Sequence, residues 1–372
     1  MARIYLDYNA STPIAPEVVA IMEPLLREAY GNPSSGHWAG VPAKAILATA
    51  RSQVAALLGC DADEVVFTSG GSEANNLALK GLFFRRQGRP SHIISTQIEH
   101  PAVLAPCRFL ESLGARVTLV PVDSAGLVDP DDIRKAIGSD TFLISVMHAN
   151  NEVGTIQPLA EIGKIARDHG VLFHTDAAQS VGKIATKVDE LGADLLSVAG
   201  HKLYAPKGVG ALYIRRGVEI EPLIHGAGHE GGRRAGTESV LLAAALGKAC
   251  EIAAPAIGRP DVRRLRDLFW NKLESAFGAA IVLNGHPELR LPNTLNISFV
   301  GRVGADILAR IPQVAASTGS ACHSGAVTLS PVLAAMGVAP EVGMGAIRFS
   351  LGRGTTEAEI ESVVSALAQA LT

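Results

Sequence analysis

Short apolar runs alternate with longer segments of helical periodicity along most of the chain. The apolar, β-branched runs predict strands at 64–68, 92–96, 116–122, 141–147, 171–174, 193–198 and 206–214. Apolar residues at helical spacing predict helices that begin near Pro16 and cover 43–58, 102–113, 160–169 and 240–254. Strands that alternate with helices predict an α/β domain with a mostly parallel sheet, whose ligands lie at the carboxyl ends of the strands.

The last part of the chain predicts a second, smaller unit. A chain of 372 residues is too long for one ordinary core. The segment Pro255–Pro260 predicts a hinge, and beyond it we expect strand Leu295–Val300, helix Ala305–Ile311 and strand Ala346–Arg353. We therefore predict a large domain at 15–254 and a smaller α+β domain formed by 1–14 and 255–372.

Composition narrows the class of protein. Charged residues make up 19%, hydrophobic residues 48%, and the net charge is -3, which is typical of a soluble enzyme. Basic runs interleaved with aromatic residues are missing, so the sequence does not predict nucleic-acid binding. It has neither the apolar core of a signal peptide nor an apolar run of membrane length, so we expect a cytoplasmic protein. The spacing of the four cysteines predicts neither a metal site nor a disulfide framework.

A lysine and an aspartate follow two of the predicted strands. Gly200-His201-Lys202 comes directly after the strand at 193–198, and Asp176 closes the one at 171–174. A lysine that caps a strand end is the ordinary alternative. Together, however, the two residues are the pair that a pyridoxal phosphate enzyme requires: an amine for the cofactor's aldehyde and a carboxylate for its ring nitrogen.

Other polar residues are predicted to lie at the same edge of the sheet. Ser69-Gly70-Gly71-Ser72 joins a strand to a helix, which directs free backbone amides at one point and so predicts a phosphate site. Taken singly, a Gly-Gly turn is common and His100 is explained as an ordinary turn residue. The further side chains at strand ends favour a site at this edge; they are those of Asn151, Gln179 and His201.

Three later segments also carry candidate chemistry. The Gly- and Arg-rich segment 226–237 is either a surface loop or a loop that offers Thr237 to a phosphate across a subunit boundary. Cys322 lies among small residues in segment 317–326. This composition predicts a mobile loop with an exposed thiol that has a functional role. Arg353 ends a predicted strand of alternating polarity, and its guanidinium group is suited to bind a carboxylate with two hydrogen bonds. Asn32, in polar segment 31–37, either belongs to a plain connector or offers its amide to a polar substrate.

Several of these motifs resemble those of one enzyme family. Asp176-x-x-Gln179, Gly200-His201-Lys202 and Ser320-Ala321-Cys322 closely resemble the motifs of cysteine desulfurases, in the same order and spacing. The resemblance extends from Leu6-Asp7-Tyr8-Asn9-Ala10 to Leu351-Gly352-Arg353. Cysteine desulfurases belong to aminotransferase class V, within the fold-type I pyridoxal phosphate enzymes. The resemblance implies a large domain with a mostly parallel, seven-stranded sheet.

The resemblance also implies a role for each candidate residue. Lys202 bonds covalently to the cofactor and then removes the substrate's α-proton, and Cys322 takes the sulfur of L-cysteine as a persulfide while L-alanine leaves. It further implies that His100 stacks on the cofactor ring, that Asp176 pairs with the ring nitrogen and that Gln179 contacts the phenolic oxygen. The phosphate is bound by Gly71, Ser72, His201 and Thr237 of the partner subunit. Asn151 lies beside cofactor and substrate, and Arg353 binds the substrate carboxylate with help from Asn32.

Departures from the pattern leave alternatives open. Ala199 stands where many members have a phosphate-binding serine, which removes a hydrogen bond worth about 1 kcal/mol. Ala199 and Cys322-His323-Ser324 are also similar to selenocysteine lyases, so L-selenocysteine is an alternative substrate.

We expect the protein to form a homodimer and to pass sulfur to an acceptor or scaffold protein of unknown identity. The segment around Cys322 resembles the subclass that serves iron-sulfur scaffolds, but the chain stops at Thr372, without the longer tail that docks a scaffold in some relatives. A non-catalytic scaffold subunit is expected to have lost the lysine, the aspartate or the cysteine.

Overall fold

The computed structural model of the chain describes residues 3–318, 320–323 and 326–371, and of residues 320–323, 326 and 327 it describes only the backbone. The helices are α1 Pro16–Glu28, α2 Gly40–Leu58, α3 Gly71–Arg85, α4 Pro101–Glu111, α5 Pro130–Ala136, α6 Leu159–Asp168, α7 Val188–Leu191, α8 Val240–Ala253, α9 Asp261–Phe277, α10 Gly304–Arg310, α11 Pro331–Ala335, α12 Pro340–Gly343 and α13 Glu357–Leu371. No single helix of these residues has the length and apolar composition to cross a membrane; one pair bent by 71° meets both criteria together.

The strands form two main sheets and two short pairs. They are β1 Ile4–Tyr5, β2 Val65–Thr68, β3 His92–Thr96, β4 Arg116–Val120, β5 Thr141–Ser145, β6 Leu172–Asp176, β7 Leu195–Ala199, β8 Gly210–Ile214, β9 Ile281–Asn284, β10 Thr294–Phe299, β11 Val314–Ala315, β12 Ser317–Thr318, β13 Ser320–His323, β14 Ala326–Leu329 and β15 Ala346–Ser350. Pairing of β1 with β11 brings the N-terminus beside a late part of the chain.

The large sheet has seven strands in the order β2-β8-β7-β6-β5-β3-β4. The five strands β3 to β7 are all parallel to one another, whereas β8 is antiparallel to both of its neighbours, β2 and β7. The predicted α/β class and the mostly parallel sheet are therefore confirmed. Strand β8 begins later than predicted, because Pro206 has no amide hydrogen to donate and Gly208 turns the chain at φ +88.

Strand alternation explains why helices cover both faces of this sheet. Val65 and Phe67 face a core that includes residues of α2 and α8, whereas Val66 between them faces a core with α3 and α4. Successive strand residues point to opposite faces, so a strand buried on both sides is mostly apolar along its length. This arrangement leaves the carboxyl ends of the strands as the open edge.

The second sheet has the order β12-β15-β10-β9 and is antiparallel. Its apolar face packs on α9 and α13, with Phe269 and Phe349 in edge-to-face contact at 5.1 Å between ring centroids. Ile4 and Leu6 are buried in the same core, which connects the N-terminal segment to this sheet. The domain boundaries proposed from the sequence remain a prediction.

Candidate active site

A cavity of about 640 Å³ opens at the carboxyl ends of the large sheet. Asp176 is the last residue of β6, and Lys202 lies in the short helical turn that follows β7. The structure brings together eight of the residues singled out from the sequence; the cavity is lined by Gly71, Ser72, His100, Asn151, Asp176, Gln179, His201 and Lys202. The predicted clustering at one sheet edge is therefore observed.

Lys202 is the basic centre of the cavity. Its ammonium donates to the main-chain oxygen of Asn9 and, at 2.9 Å, to that of Ala10. Burial and then the Arg348 cation lower the pKa of Lys202 from 10.5 to about 8, against the opposing charges of Asp176 and Asp7. A lysine with such a pKa has an appreciable fraction of free amine near neutral pH, which nucleophilic and proton-transfer chemistry require.

Asp176 is held by two donors. Its Oδ1 accepts from the Ala178 amide at 2.9 Å, and its Oδ2 accepts from Asn75 Nδ2 at 2.6 Å. Asn75 is buried in α3, close to the turn whose amides predict the phosphate site. Sequence reasoning missed it, although its position one helical turn after the phosphate-binding segment was an available signal.

The pKa values of both histidines in the cavity are lowered, which favours their neutral forms. Burial lowers the pKa of His100, with Asp176 opposing and Lys202 adding to the shift. The Nδ1 of His100 accepts from the Ala102 amide at 3.0 Å, which fixes the ring at the start of α4. Burial, then Lys202 and Lys207, lower the pKa of His201 to about 4. Neutral imidazoles can stack or donate a hydrogen bond without adding charge.

The start of α3 forms an anion site. The first amides of a helix have no partner inside it, and the helix dipole adds positive potential there. A Cβ added at Gly71 would lie 3.2 Å from the Cβ of Ala199, so the turn packs closely against the end of β7. Glu73 lies nearby, but Arg234 at 3.0 Å and the Ser69 amide at 2.7 Å hold its carboxylate. Burial raises the pKa of Glu73, but the hydrogen bonds and charge of these partners outweigh burial and keep the pKa below its usual value.

The arginine in this cavity is Arg348, and the structure does not bring Arg353 there. Strand β15 ends at Ser350, so Arg353 lies past the sheet, where it pairs with Glu17 at 3.0 Å and covers the ring of Tyr204. Arg348 lies inside the strand and lines the cavity. It pairs with Asp7 at 2.7 Å and donates to the Asn151 oxygen at 2.9 Å, while its buried Nε has no partner among the described residues.

Two other predicted residues lie outside the cavity of the single chain. The side chain of exposed Asn32 accepts from the Ser34 amide at 2.9 Å and caps its own turn. Thr237 is exposed on the chain surface. The sequence-based role of Thr237 is contact with a second subunit, so its place outside this chain's own cavity leaves that role a prediction.

Asn9 is a buried junction that sequence reasoning did not single out. Its main-chain oxygen accepts from Lys202 and, at 3.0 Å, from Gln179 Nε2. Its side-chain Oδ1 accepts from Lys183 at 3.1 Å, and its Nδ2 donates to Thr294 at 2.9 Å. These partners are far apart in the sequence, so no local pattern around Asn9 indicates them.

Comparison with known proteins assigns the chain to a family. A model of the family described as Aminotransferase class-V matches residues 4–363. The chain belongs to the aminotransferase class V family. It is 48% identical to the protein named Cysteine desulfurase IscS of Dictyoglomus turgidum, over 98% of this chain and 93% of that one. It is 45% identical to the Cysteine desulfurase IscS of Methanosarcina thermophila, over 97% and 90% of the two chains.

Solved structures give the same result within this family. A structure described as a NifS-like protein matches with a TM-score of 0.93 and 37% identity, over 99% of each chain. Another, described as SspA in complex with cysteine, matches with a TM-score of 0.84 and 38% identity, over 94% of this chain and 98% of that one. The resemblance to cysteine desulfurases and the expected fold are confirmed.

The candidate nucleophile of this family member lies where the structure gives only the backbone. Cys322 belongs to β13, whose backbone pairs with β14 in a hairpin that places Cys322 opposite Val327. A loop was expected here. The side chain of Cys322 lies outside the described part of the structure. Burial raises the pKa of each of the other thiols to about 12; these are Cys60, Cys107 and Cys250.

The cavity has the donor set that pyridoxal phosphate requires. Lys202 offers an amine to an aldehyde, Asp176 a carboxylate to a ring nitrogen, and α3 its amides to a phosphate. The Nδ1 of His201 is buried without a partner among the described residues, which is typical of a group that contacts a ligand. The residues present therefore fit this cofactor. Within the same described residues, no group of three His, Cys, Asp or Glu side chains is arranged for a metal ion.

Proposed function

We propose that the protein is a pyridoxal phosphate-dependent cysteine desulfurase that converts L-cysteine to L-alanine and retains the sulfur as a persulfide on Cys322. One observation carries the proposal: the half-buried amine of Lys202 and the carboxylate of Asp176 share a cavity with the N-terminus of α3. The names of the relatives support sulfur removal from cysteine. Retention of both Lys202 and Asp176 favours an enzyme over a non-catalytic scaffold.

The residues around the cavity divide the work of holding the cofactor. The N-terminus of α3, with Gly71, Ser72 and His201, binds the phosphate, and Asp176 pairs with the ring nitrogen. When bound, pyridoxal phosphate supplies the electron sink for charge that develops at the substrate's α carbon. Asn75 keeps the Asp176 carboxylate in place through the hydrogen bond to its Oδ2.

The substrate's carboxylate is best matched by Arg348. Its Nε is buried and unpartnered among the described residues, and a guanidinium is a preferred partner for a carboxylate. Lys202, with a pKa lowered to about 8, takes the proton from the substrate's α carbon. Asn151, whose main-chain oxygen accepts from Arg348, lies at the same wall of the cavity.

Cys322 is proposed to take the sulfur by direct attack. Its thiolate attacks the sulfur of L-cysteine, a sulfur–sulfur bond forms, and the carbon–sulfur bond breaks. The electron pair of that bond goes to the β carbon, which takes up a proton. The α carbon regains a proton from Lys202, and L-alanine leaves. The persulfide then passes its outer sulfur to an acceptor protein, for iron-sulfur cluster assembly or another sulfur-containing product.

A second copy of the chain is the proposed partner in the functional enzyme. Large apolar side chains are exposed on α1 and the segment that follows it, including Leu26, Tyr30 and Trp38, the last with 79% exposure. Exposed apolar clusters of this kind are typical of subunit interfaces. In such a dimer, Thr237 of the partner subunit completes the phosphate site. Sedimentation tests this, since a stable monomer with full cofactor occupancy contradicts it.

The function itself is tested by product release. Purified protein is incubated with L-cysteine and, in parallel, with L-selenocysteine, and L-alanine is measured in both. We expect alanine from L-cysteine, and none from the Lys202→Ala variant. Alanine from L-selenocysteine alone favours the selenocysteine lyase alternative. Borohydride reduction followed by peptide mapping must place the cofactor on Lys202; a label on Lys183 or Lys207 contradicts the site.

A further inference from the structure

A second lysine lies behind the cavity and is not used by the proposed mechanism. Lys183 follows β6, and its ammonium lies 3.1 Å from Asn9 Oδ1 and 3.1 Å from Gln179 Oε1. Among the described residues it has no carboxylate within ion-pair distance. Burial and then the charge of Lys202 lower its pKa to about 7. A cation kept here against its desolvation cost needs a role.

The contacts of Lys183 fix two side-chain amides. An ammonium has only donors, so the groups facing it must be the amide oxygens of Gln179 and Asn9. The Gln179 nitrogen then faces the main-chain oxygen of Asn9, at 3.0 Å. The Asn9 nitrogen faces Thr294 at 2.9 Å and the Asn151 oxygen at 3.3 Å. Lys183 is therefore the charged member of a set of partners that hold both amides; Asn293 Nδ2 also donates to Asn9 Oδ1, at 3.0 Å.

These amides lead directly to Lys202. The main-chain oxygen of Asn9 accepts both from Gln179 and from the ammonium of Lys202, whose other acceptor is Ala10. This inference rests on the proposed function: we propose that Lys183 is a positioning residue that acts through Asn9 and Gln179 to hold the main-chain oxygen of Asn9, which receives the Lys202 ammonium. Hydrogen bonds to the charged form of a group favour that form, so the arrangement controls the protonation of Lys202.

The sign of one measurement distinguishes this role from two others. If Lys183 positions the acceptors, its removal weakens the hydrogen bonds to the Lys202 ammonium, and the pKa of Lys202 falls. If Lys183 acts only as a neighbouring positive charge, its removal favours protonation, and the pKa of Lys202 rises. If Lys183 only fills space, the pKa of Lys202 stays unchanged while the melting temperature falls.

The pKa of Lys202 can be measured in the cofactor-free protein. Competitive acetylation with acetic anhydride over a range of pH, read by peptide mass spectrometry, reports the free-amine fraction of each lysine. Lys183→Met and Lys183→Gln are compared with Lys183→Arg, which keeps the cation and its donors. Lys187→Met is the matched control, because partly buried Lys187 donates to the Ala56 oxygen at 2.8 Å and does not line the cavity.

We expect both neutral variants to lower the pKa of Lys202 by about one unit, the size of one lost charge-assisted hydrogen bond. Lys183→Arg is expected to return it toward the parent value, and Lys187→Met to leave it unchanged. An unchanged or raised pKa in both neutral variants overturns the proposal. Because no turnover or cofactor is needed, this result is independent of the proposed function, whose failure appears separately as absence of alanine from L-cysteine.

A second measurement concerns the reaction itself. In the cofactor-loaded enzyme, Lys183→Met is expected to reduce kcat for alanine release about tenfold, with little change in KM, because substrate contacts remain while Lys202 is misplaced. Lys183→Arg should recover most of the loss. A rise in KM with unchanged kcat contradicts positioning of Lys202, and places Lys183 in substrate binding instead.

Discussion

The side-chain nitrogen of Asn75 lies 2.6 Å from Oδ2 of Asp176, so helix α3 holds the carboxylate at the end of strand β6. The same helix begins at Gly71 and supplies the amides of the anion site. One element therefore fixes both the phosphate end and the ring-nitrogen end of the proposed cofactor site. The two ends cannot shift independently, which suits a rigid ligand held at several points.

Replacement of Asn75 by alanine tests this connection. The variant leaves one oxygen of buried Asp176 without its donor, and we expect alanine release from L-cysteine to fall about tenfold, the cost of a hydrogen bond to a charged group. Asn76→Ala is the matched control, because partly buried Asn76 donates to the Ser72 oxygen of its own helix and does not line the cavity. Equal activity of the two variants contradicts a role for Asn75 in holding Asp176.

The two arginines near the end of β15 give a direct comparison. Arg348→Gln is expected to raise KM for L-cysteine by about tenfold or more, because the carboxylate loses a charged, buried partner. Arg353→Gln is expected to change KM little, since Arg353 pairs with Glu17 outside the cavity. Steady-state kinetics of both variants decide between the structure-based and the sequence-based assignments. A large KM effect at Arg353 alone restores the sequence-based one.

The large sheet was predictable because most of its strands are short apolar runs that alternate with helices along the chain. Asp176, His201 and Lys202 were predictable because residues at carboxyl ends of neighbouring parallel strands must meet. The sequence reading named Arg353 and not Arg348 because it took Arg353 as the last residue of a strand, whereas β15 ends at Ser350. Asn9 was missed because its partners Lys183 and Thr294 come from distant parts of the chain.

Glu99, next to His100, is a buried acid whose stability effect depends on pH. Burial raises the pKa of Glu99 to about 8 from its ordinary 4.5, against hydrogen bonds from Met147 and Thr96. Between these values the unfolded chain loses the proton while the folded protein keeps it. The contribution to stability is therefore complete below about pH 4.5 and is lost as pH rises toward about 8.

Glu99→Gln removes this dependence, because the amide stays neutral and keeps an oxygen for the Met147 amide. We expect the free energy of unfolding of the variant, relative to the parent, to increase between pH 5 and pH 8 by up to about 1.4 kcal/mol per pH unit. Urea denaturation at several pH values measures it. Glu111→Gln, on the exposed side of α4, is the control. A difference that stays constant with pH shows that Glu99 ionises normally in the folded state.

Cys322 provides the test of sulfur transfer itself. A thiolate is needed, and at neutral pH the other cysteines are poor sources of one, since burial raises their thiol pKa values to about 12. Cys322→Ala should still bind L-cysteine and change the visible absorbance of the cofactor, because binding depends on Lys202, Asp176 and Arg348. It should fail to release alanine, because no thiolate then accepts the sulfur.

The matched control is Cys60→Ala, which should keep the parental rate because half-buried Cys60 does not line the cavity. Selenium leaves carbon more readily than sulfur, so some alanine from L-selenocysteine is expected to survive in Cys322→Ala. Mass spectrometry of the parent after brief exposure to L-cysteine should show one added sulfur on the peptide that contains Cys322. If Cys322→Ala releases alanine from L-cysteine at the parental rate, the persulfide mechanism is wrong, and the enzyme is a simple β-lyase in which Cys322 takes no part.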